Sequence, residues 1–259
     1  MKRKLYDQLV IWKTKRHGKS AMMIEGARRV GKSYIVEEFA KNEYKSHIII
    51  DFFKVGDDIK DLFKNYKGNL DMLFIYLSTF YSTKLYPRDS IIVFDEIEFC
   101  PAARAAIKYL VEDGRYDYLE TGSLLGMQMS TRKKLKGSEK QEDYLVPSEE
   151  EKVVLQPMDF EEFLWALGEE NLMEFVRMKF ETKEPVGQSM HRKLMDYFRL
   201  YMIVGGMPQA VMEYLETRSF EDVDRFKRQI LNLYNNCIDQ YAGIHTSKVK
   251  AIYEAIPGQ

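Results

Sequence analysis

Short apolar runs alternate with stretches of helical spacing through the first 156 residues. Ala21-Met22-Met23-Ile24, His47-Ile48-Ile49-Ile50 and Ile91-Ile92-Val93-Phe94 have the length and continuity of strands buried on both faces. Tyr116 to Glu120 reads as a fourth strand closed by Thr121-Gly122-Ser123, and Val153-Val154-Leu155 as a fifth. Between them the spacing predicts helices. One covers residues 5–16, with Leu5, Leu9 and Trp12 on one stripe and His17-Gly18 ending it. A second opens after residue 33 and carries Ile35, Val36 and Phe39. Two more fall at 57–66 and 69–83, and another runs from Pro101, suited to a first helical position, to Gly114. Strand alternating with helix requires crossover connections, hence parallel strands in an α/β sheet covered on both faces. The charged stretch 130–150 reads as an exposed loop.

After Pro157 the pattern becomes helical only. Asp159 with Glu162 forms a capping box, and Phe160, Phe163, Leu164 and Leu167 recur at helical spacing. Val204-Gly205-Gly206-Met207-Pro208 joins two helices, Gly ending one and Pro beginning the next. The domain boundary is therefore placed near residue 156, giving domains 1–156 and 157–259.

Composition narrows the possibilities. A hydrophobic fraction of 45% suits a packed core, and 39 Lys and Arg against 40 Asp and Glu give no global pull toward nucleic acid or anionic lipid. Cys100 and Cys237 are too few for a disulfide framework, and the four scattered histidines give little support to zinc. No apolar run approaches the roughly 20 residues that cross a bilayer. Met1-Lys2-Arg3-Lys4 is basic, but the stretch after it, with Tyr6, Asp7, Gln8 and Lys13, is too polar for a signal peptide. The expectation is a cytoplasmic protein without a membrane segment.

The chemistry concentrates in Gly26-Ala27-Arg28-Arg29-Val30-Gly31-Lys32-Ser33, with Tyr34 next in the chain. The segment matches the P-loop pattern and lies between a strand and a helix, as that pattern demands. Its glycines let successive N–H groups point inward as an anion cradle. Lys32 can reach β- and γ-phosphates, and the Ser33 hydroxyl can ligate Mg²⁺. Asp95 and Glu96 end the third strand at the carboxyl edge of the sheet, where ligands of open α/β folds bind. Asp95 suits the magnesium shell and Glu96 the orientation of an attacking water. Thr121 and Ser123, at the end of the fourth strand, can hydrogen-bond the γ-phosphate or that water. Asp51, ending the second strand, reads as structural. Arg104, Arg115 and Arg132 are arginine-finger candidates, with a surface arginine as the plainer reading of each.

Taken in order, Gly26 to Ser33, Ile91 to Glu96, Glu120-Thr121-Gly122-Ser123-Leu124, Pro157 to Leu164 and Val204 to Pro208 resemble the prokaryotic AAA-type ATP-binding proteins related to archaeal ATPases. The resemblance implies a P-loop NTPase core with a three-layer, five-stranded parallel sheet of order 5-1-4-3-2, followed by an all-helical lid domain. It also implies Walker A at Gly26 to Ser33, Walker B at Asp95 with Glu96, and a sensor at Thr121 to Ser123. Such proteins usually continue into a C-terminal domain of unknown function, and the chain length leads to the expectation that this domain is absent.

The leading expectation is Mg²⁺-dependent ATP hydrolysis coupled to a switch between core and lid. The alternative is a nucleotide-gated module that binds a protein or DNA with negligible hydrolysis. A small-metabolite kinase ranks third, because no acceptor-binding cluster is evident. ATP and Mg²⁺ are the expected cofactors, a protein or nucleic acid partner is open, and so is an oligomer.

Overall fold

The structure, a computed structural model, describes residues 1–123 and 148–256, so most of the charged stretch and Arg132 fall outside the described residues. The chain divides into two compact units: one of residues 5–27 and 31–155, the other of Met1–Lys4, Arg28–Val30 and the residues from Gln156 onward.

The first unit is built on five parallel strands: β1 (Ala21–Gly26), β2 (Ser46–Asp51), β3 (Ser90–Asp95), β4 (Asp117–Ser123) and β5 (Glu150–Leu155). Their order is β2-β3-β4-β1-β5, the order the family resemblance implies. β3 and β4 are buried along their whole length, while edge strand β2 buries Ile48 and Ile50 between partly exposed positions and edge strand β5 buries only Leu155. The helices are α1 (Lys4–Arg16), α2 (Lys32–Glu43), α3 (Asp57–Asn65), α4 (Leu70–Phe80) and α5 (Pro101–Asp113). Side chains alternate across the sheet. Met23, Ile48, Ile50, Ile92, Phe94 and Tyr118 join one core with Ile59 and Phe63 of α3, Leu73 and Leu77 of α4 and Ile107 and Leu110 of α5. α2 lies against β1 to β4 and is pinned to α1 by Phe39, whose ring meets those of Tyr6 and Trp12. Each fully buried ring of this kind contributes about 1.5–3 kcal/mol.

Two strand boundaries differ from the sequence reading. Thr121-Gly122-Ser123 is not an exit but the last part of β4, paired with Ile24, Glu25 and Gly26 of β1. β5 begins three residues earlier than its apolar run, at Glu150, because Ala21 to Met23 offer it partners there. Backbone pairing along a central strand outweighs the turn preference of Thr, Gly and Ser.

The second unit contains α6 (Phe160–Ala166), α7 (Leu172–Thr182), α8 (Gln188–Val204), α9 (Pro208–Thr217), α10 (Phe220–Ala242) and α11 (Thr246–Ala255). The capping box is present: Asp159 accepts from the Glu162 amide at 2.9 Å, and Glu162 accepts from the Asp159 amide at 3.3 Å. Met158, Phe163, Val204, Ala210, Val211 and Val223 form its core. Gly206 is required there by close approach, since a Cβ would stand 2.1 Å from the Met158 carbonyl oxygen.

Candidate functional site

The loop between β1 and α2 supplies the first half of the site. Gly31 precedes α2 at φ 97°, a left-handed conformation that glycine adopts without penalty. α2 then opens with Lys32 and Ser33, so its first amides lack intrahelical partners and its dipole favours an anion. The Lys32 ammonium, buried, donates to the carbonyls of Gly26 and Ala27, each at 3.1 Å. Val30 is fully buried, Arg29 is exposed with φ 67°, and Tyr34 is half-exposed on α2.

Residues 28–30 are held from within the helical unit. The Arg3 guanidinium, 5% exposed, donates to the Val30 carbonyl at 3.0 Å and the Gln156 carbonyl at 2.6 Å, and pairs with Glu162 at 3.1 Å. The Tyr234 hydroxyl donates to the Arg28 carbonyl at 2.8 Å, and Arg29 donates to Gln209 at 3.1 Å. Arg3 was missed in the sequence because the basic N-terminal tetrapeptide offers no sign that one of its charges is buried.

β3 and β4 supply the second half. Ser33 donates to Asp95 Oδ1 at 3.2 Å, and the buried Thr121 hydroxyl donates to the same oxygen. The Glu96 amide in turn donates to Thr121 Oγ1 at 3.2 Å. Ser33, Asp95, Glu96 and Thr121 are therefore one connected cluster at the carboxyl edge of the sheet. Hydroxyl and carboxylate oxygens are the donor types a hard divalent cation takes, and two of them with phosphates and waters complete a magnesium shell. Ser33 and Asp95 fit that role.

Glu96 has φ 54° and ψ 51°, a conformation costly for a residue with a Cβ. It leads into a single 3₁₀ turn, Ile97–Phe99, which brings Glu98 back beside it. Burial, and after it the neighbouring Glu98 carboxyl, pushes Glu96 up to about 7, with Lys32 opposing the rise. The two carboxyls hydrogen-bond when one carries a proton, whereas with both ionised neither Oε2 meets a donor among the described residues.

Ser123 is tied to Glu98. Its amide and hydroxyl both donate to Glu98 Oε1, at 3.1 and 2.8 Å. Glu98 is the second residue that sequence reasoning missed. Its signal was an acid two positions beyond Glu96, in a stretch too short to show any period.

Asp51 is structural, as expected: it accepts from the Phe53 amide at 3.1 Å and pairs with Lys54 at 2.7 Å. Arg104 is not a surface residue; it pairs with Glu150 at 3.1 Å and is mostly buried. Arg115 pairs with Asp71 and Asp113. Among the described residues no group of three or more His, Cys, Asp or Glu could hold a metal, and no helix is long and apolar enough to cross a membrane.

A parallel sheet of this order, with a glycine-flanked lysine loop after the interior strand β1 and an acid at the end of the strand two places away, defines a P-loop NTPase core. The family model described as AAA domain matches residues 18–164, more than half of the chain, and the chain belongs to that family. Membership supports a nucleotide-binding, ATPase-type function. A second model, described as Domain of unknown function (DUF8612), matches residues 195–259. That corrects the expectation from chain length that a C-terminal domain of unknown function is absent: helical spacing alone does not separate a lid from such a domain.

No curated protein matches the sequence. Among solved structures the chain is similar to the Walker-type ATPase of Pyrococcus abyssi, at 14% identity and a TM-score of 0.47, over 99% of this chain and 76% of that one. It is also similar to PCH-2 of C. elegans, at 14% identity and a TM-score of 0.36, over 87% of this chain and 65% of that one.

Proposed function

We propose that the chain binds ATP with Mg²⁺ on residues Gly26 to Tyr34 and hydrolyses it. The observation that carries this reading is the convergence of Ser33 and Thr121 on one oxygen of Asp95 beside Glu96, at the mouth of the lysine loop. In this reading the loop amides cradle the phosphates. Lys32 leaves the Gly26 and Ala27 carbonyls for the β- and γ-phosphate oxygens, where its charge offsets the negative charge of the transition state. Ser33 and Asp95 hold the magnesium ion, which supplies further charge neutralisation when bound. Glu96 orients the attacking water, and Thr121 holds Asp95 and the Glu96 backbone in register. Ser123, at the end of β4, serves the attacking water.

Residues 1–156 act as the catalytic core and 157–259 as a helical lid, with hydrolysis altering the hold on the loop residues Arg28 to Val30. The support for that coupling is the pair of bonds between the loop and residues after 157: the Tyr234 hydroxyl donates to the Arg28 carbonyl, and Arg29 donates to Gln209. Phosphate release from Mg·ATP by the purified chain tests the proposal. Lys32→Ala should lower nucleotide affinity, and Glu96→Gln should lower kcat about 100-fold while sparing binding. Rates unchanged in both variants would refute hydrolysis at this site.

A further inference from the structure

The 3₁₀ turn after β3 turns Glu98 onto the end of β4, where one of its oxygens accepts two hydrogen bonds from Ser123. Ser123 is 3% exposed, so this grip is shielded from water and its strength is not diluted by solvent. The other carboxyl oxygen is buried and faces no donor among the described residues, and the same holds for Glu96 Oε2. The placement carries a cost, because a buried carboxylate oxygen without a donor is destabilising. What offsets it lies in the neighbours, the Ser123 amide and hydroxyl that Glu98 grips and the Glu96 beside it.

We propose that Glu98 is a positioning residue for hydrolysis, holding the Ser123 hydroxyl in a fixed relation to the Glu96 carboxyl. The inference rests on the reading of Glu96 as the group that orients water. While Ser123 donates its proton to Glu98, its oxygen serves the reaction as an acceptor. It can then take a hydrogen bond from the attacking water, rather than give one to a phosphate oxygen. Glu98 thus sets which end of the hydroxyl the reaction meets, and it acts on the reacting atoms only through Ser123.

The test is steady-state phosphate release by the full chain, with Lys32→Ala as the reference for lost nucleotide binding. Glu98→Ala should lower kcat about tenfold or more, with KM for Mg·ATP within about threefold of the original. Glu98→Gln keeps an oxygen that accepts both bonds and should retain kcat within about threefold. Ser123→Ala should reproduce the loss, and adding Glu98→Ala to it should lower kcat no further, because the two side chains act as one unit. If Glu98→Ala does not fold, Ser123→Ala and Glu98→Gln decide the matter. Unchanged kcat in Ser123→Ala, a rise in KM alone, or a Glu98→Gln variant as impaired as Glu98→Ala overturns the proposal. Turnover by the unaltered chain no greater than by Lys32→Ala removes the hydrolytic reading and this one with it. An active unaltered chain with an equally active Glu98→Ala removes the role of Glu98 alone.

Discussion

Thr121 takes a hydrogen bond from the Glu96 amide and gives one to Asp95, so one hydroxyl fixes both the acid of the proposed cation shell and the backbone of the acid beside it. Thr121→Val keeps the shape and removes both bonds. It should lower stability by about 1–3 kcal/mol in urea unfolding and reduce turnover as well, whereas a packing role alone would leave both nearly intact. Elsewhere, the buried Glu161 is held below its ordinary value of 4.5, first by its hydrogen bond to Arg177 and then by Lys4, against the opposing effect of burial. A carboxyl depressed on folding contributes stability that is complete above 4.5 and disappears as pH falls through its lower folded value. Arg177→Leu should therefore be less stable than the parent at neutral pH. The gap between their urea midpoints should close on acidification below 4.5; a gap independent of pH would assign the loss to packing. At this scale the sequence showed residue types but not their pairings. Lys32 and Ser33 were legible because the motif fixes their spacing, and Asp95 and Glu96 because they close an unbroken apolar strand. Glu98 and Arg3 were not, since their partners lie 25 and 27 or more residues away.

Elements were more legible than pairs of residues, for a physical reason. Helical and strand periods are written locally, and so were the Asp159 capping box and the proline that opens α5. The failures lie where a neighbouring strand decides. Thr-Gly-Ser favours a turn in isolation, yet β1 keeps it extended. Glu120 likewise reads as a polar end of a strand, yet it is wholly buried, and burial together with the charge of Glu150 raises its carboxyl well above the ordinary range. In the helical unit the connection between α8 and α9 depends on contact as well as on turn chemistry. The Met158 amide donates to the Gly206 carbonyl at 2.7 Å, and the chain at Gly206 has no room for a side chain. Gly206→Ala should cost about 1–3 kcal/mol by forcing these backbones apart, measurable as a lower urea midpoint. Gly205, at φ 85° with nothing within 4 Å of its Cβ position, should respond to alanine through backbone strain alone.

The two units together make a molecule whose loop residues Arg28 to Val30 group with the helical unit while the flanking Gly26, Ala27, Gly31 and Lys32 group with the sheet. A ligand that binds this loop in the folded state only must stabilise the whole fold by mass action, by about 2.7 kcal/mol at 100 times its Kd. Mg·ATP should raise the Tm of the purified chain, and Lys32→Ala should abolish the rise. An equal rise in both would place nucleotide binding elsewhere. The sheet order was foreseen through family resemblance and not through pattern, since periodicity names strands without saying which lie side by side.

That order has a consequence for how the protein comes into being. β1, the first of these five strands along the chain, sits between β4 and β5 and pairs with neither β2 nor β3. At a ribosomal pace of about 5–20 residues per second, its apolar residues wait on the order of ten seconds for the nascent β4 to emerge. The segment on which the proposed chemistry depends is thus the one that a chaperone would have the longest opportunity to hold.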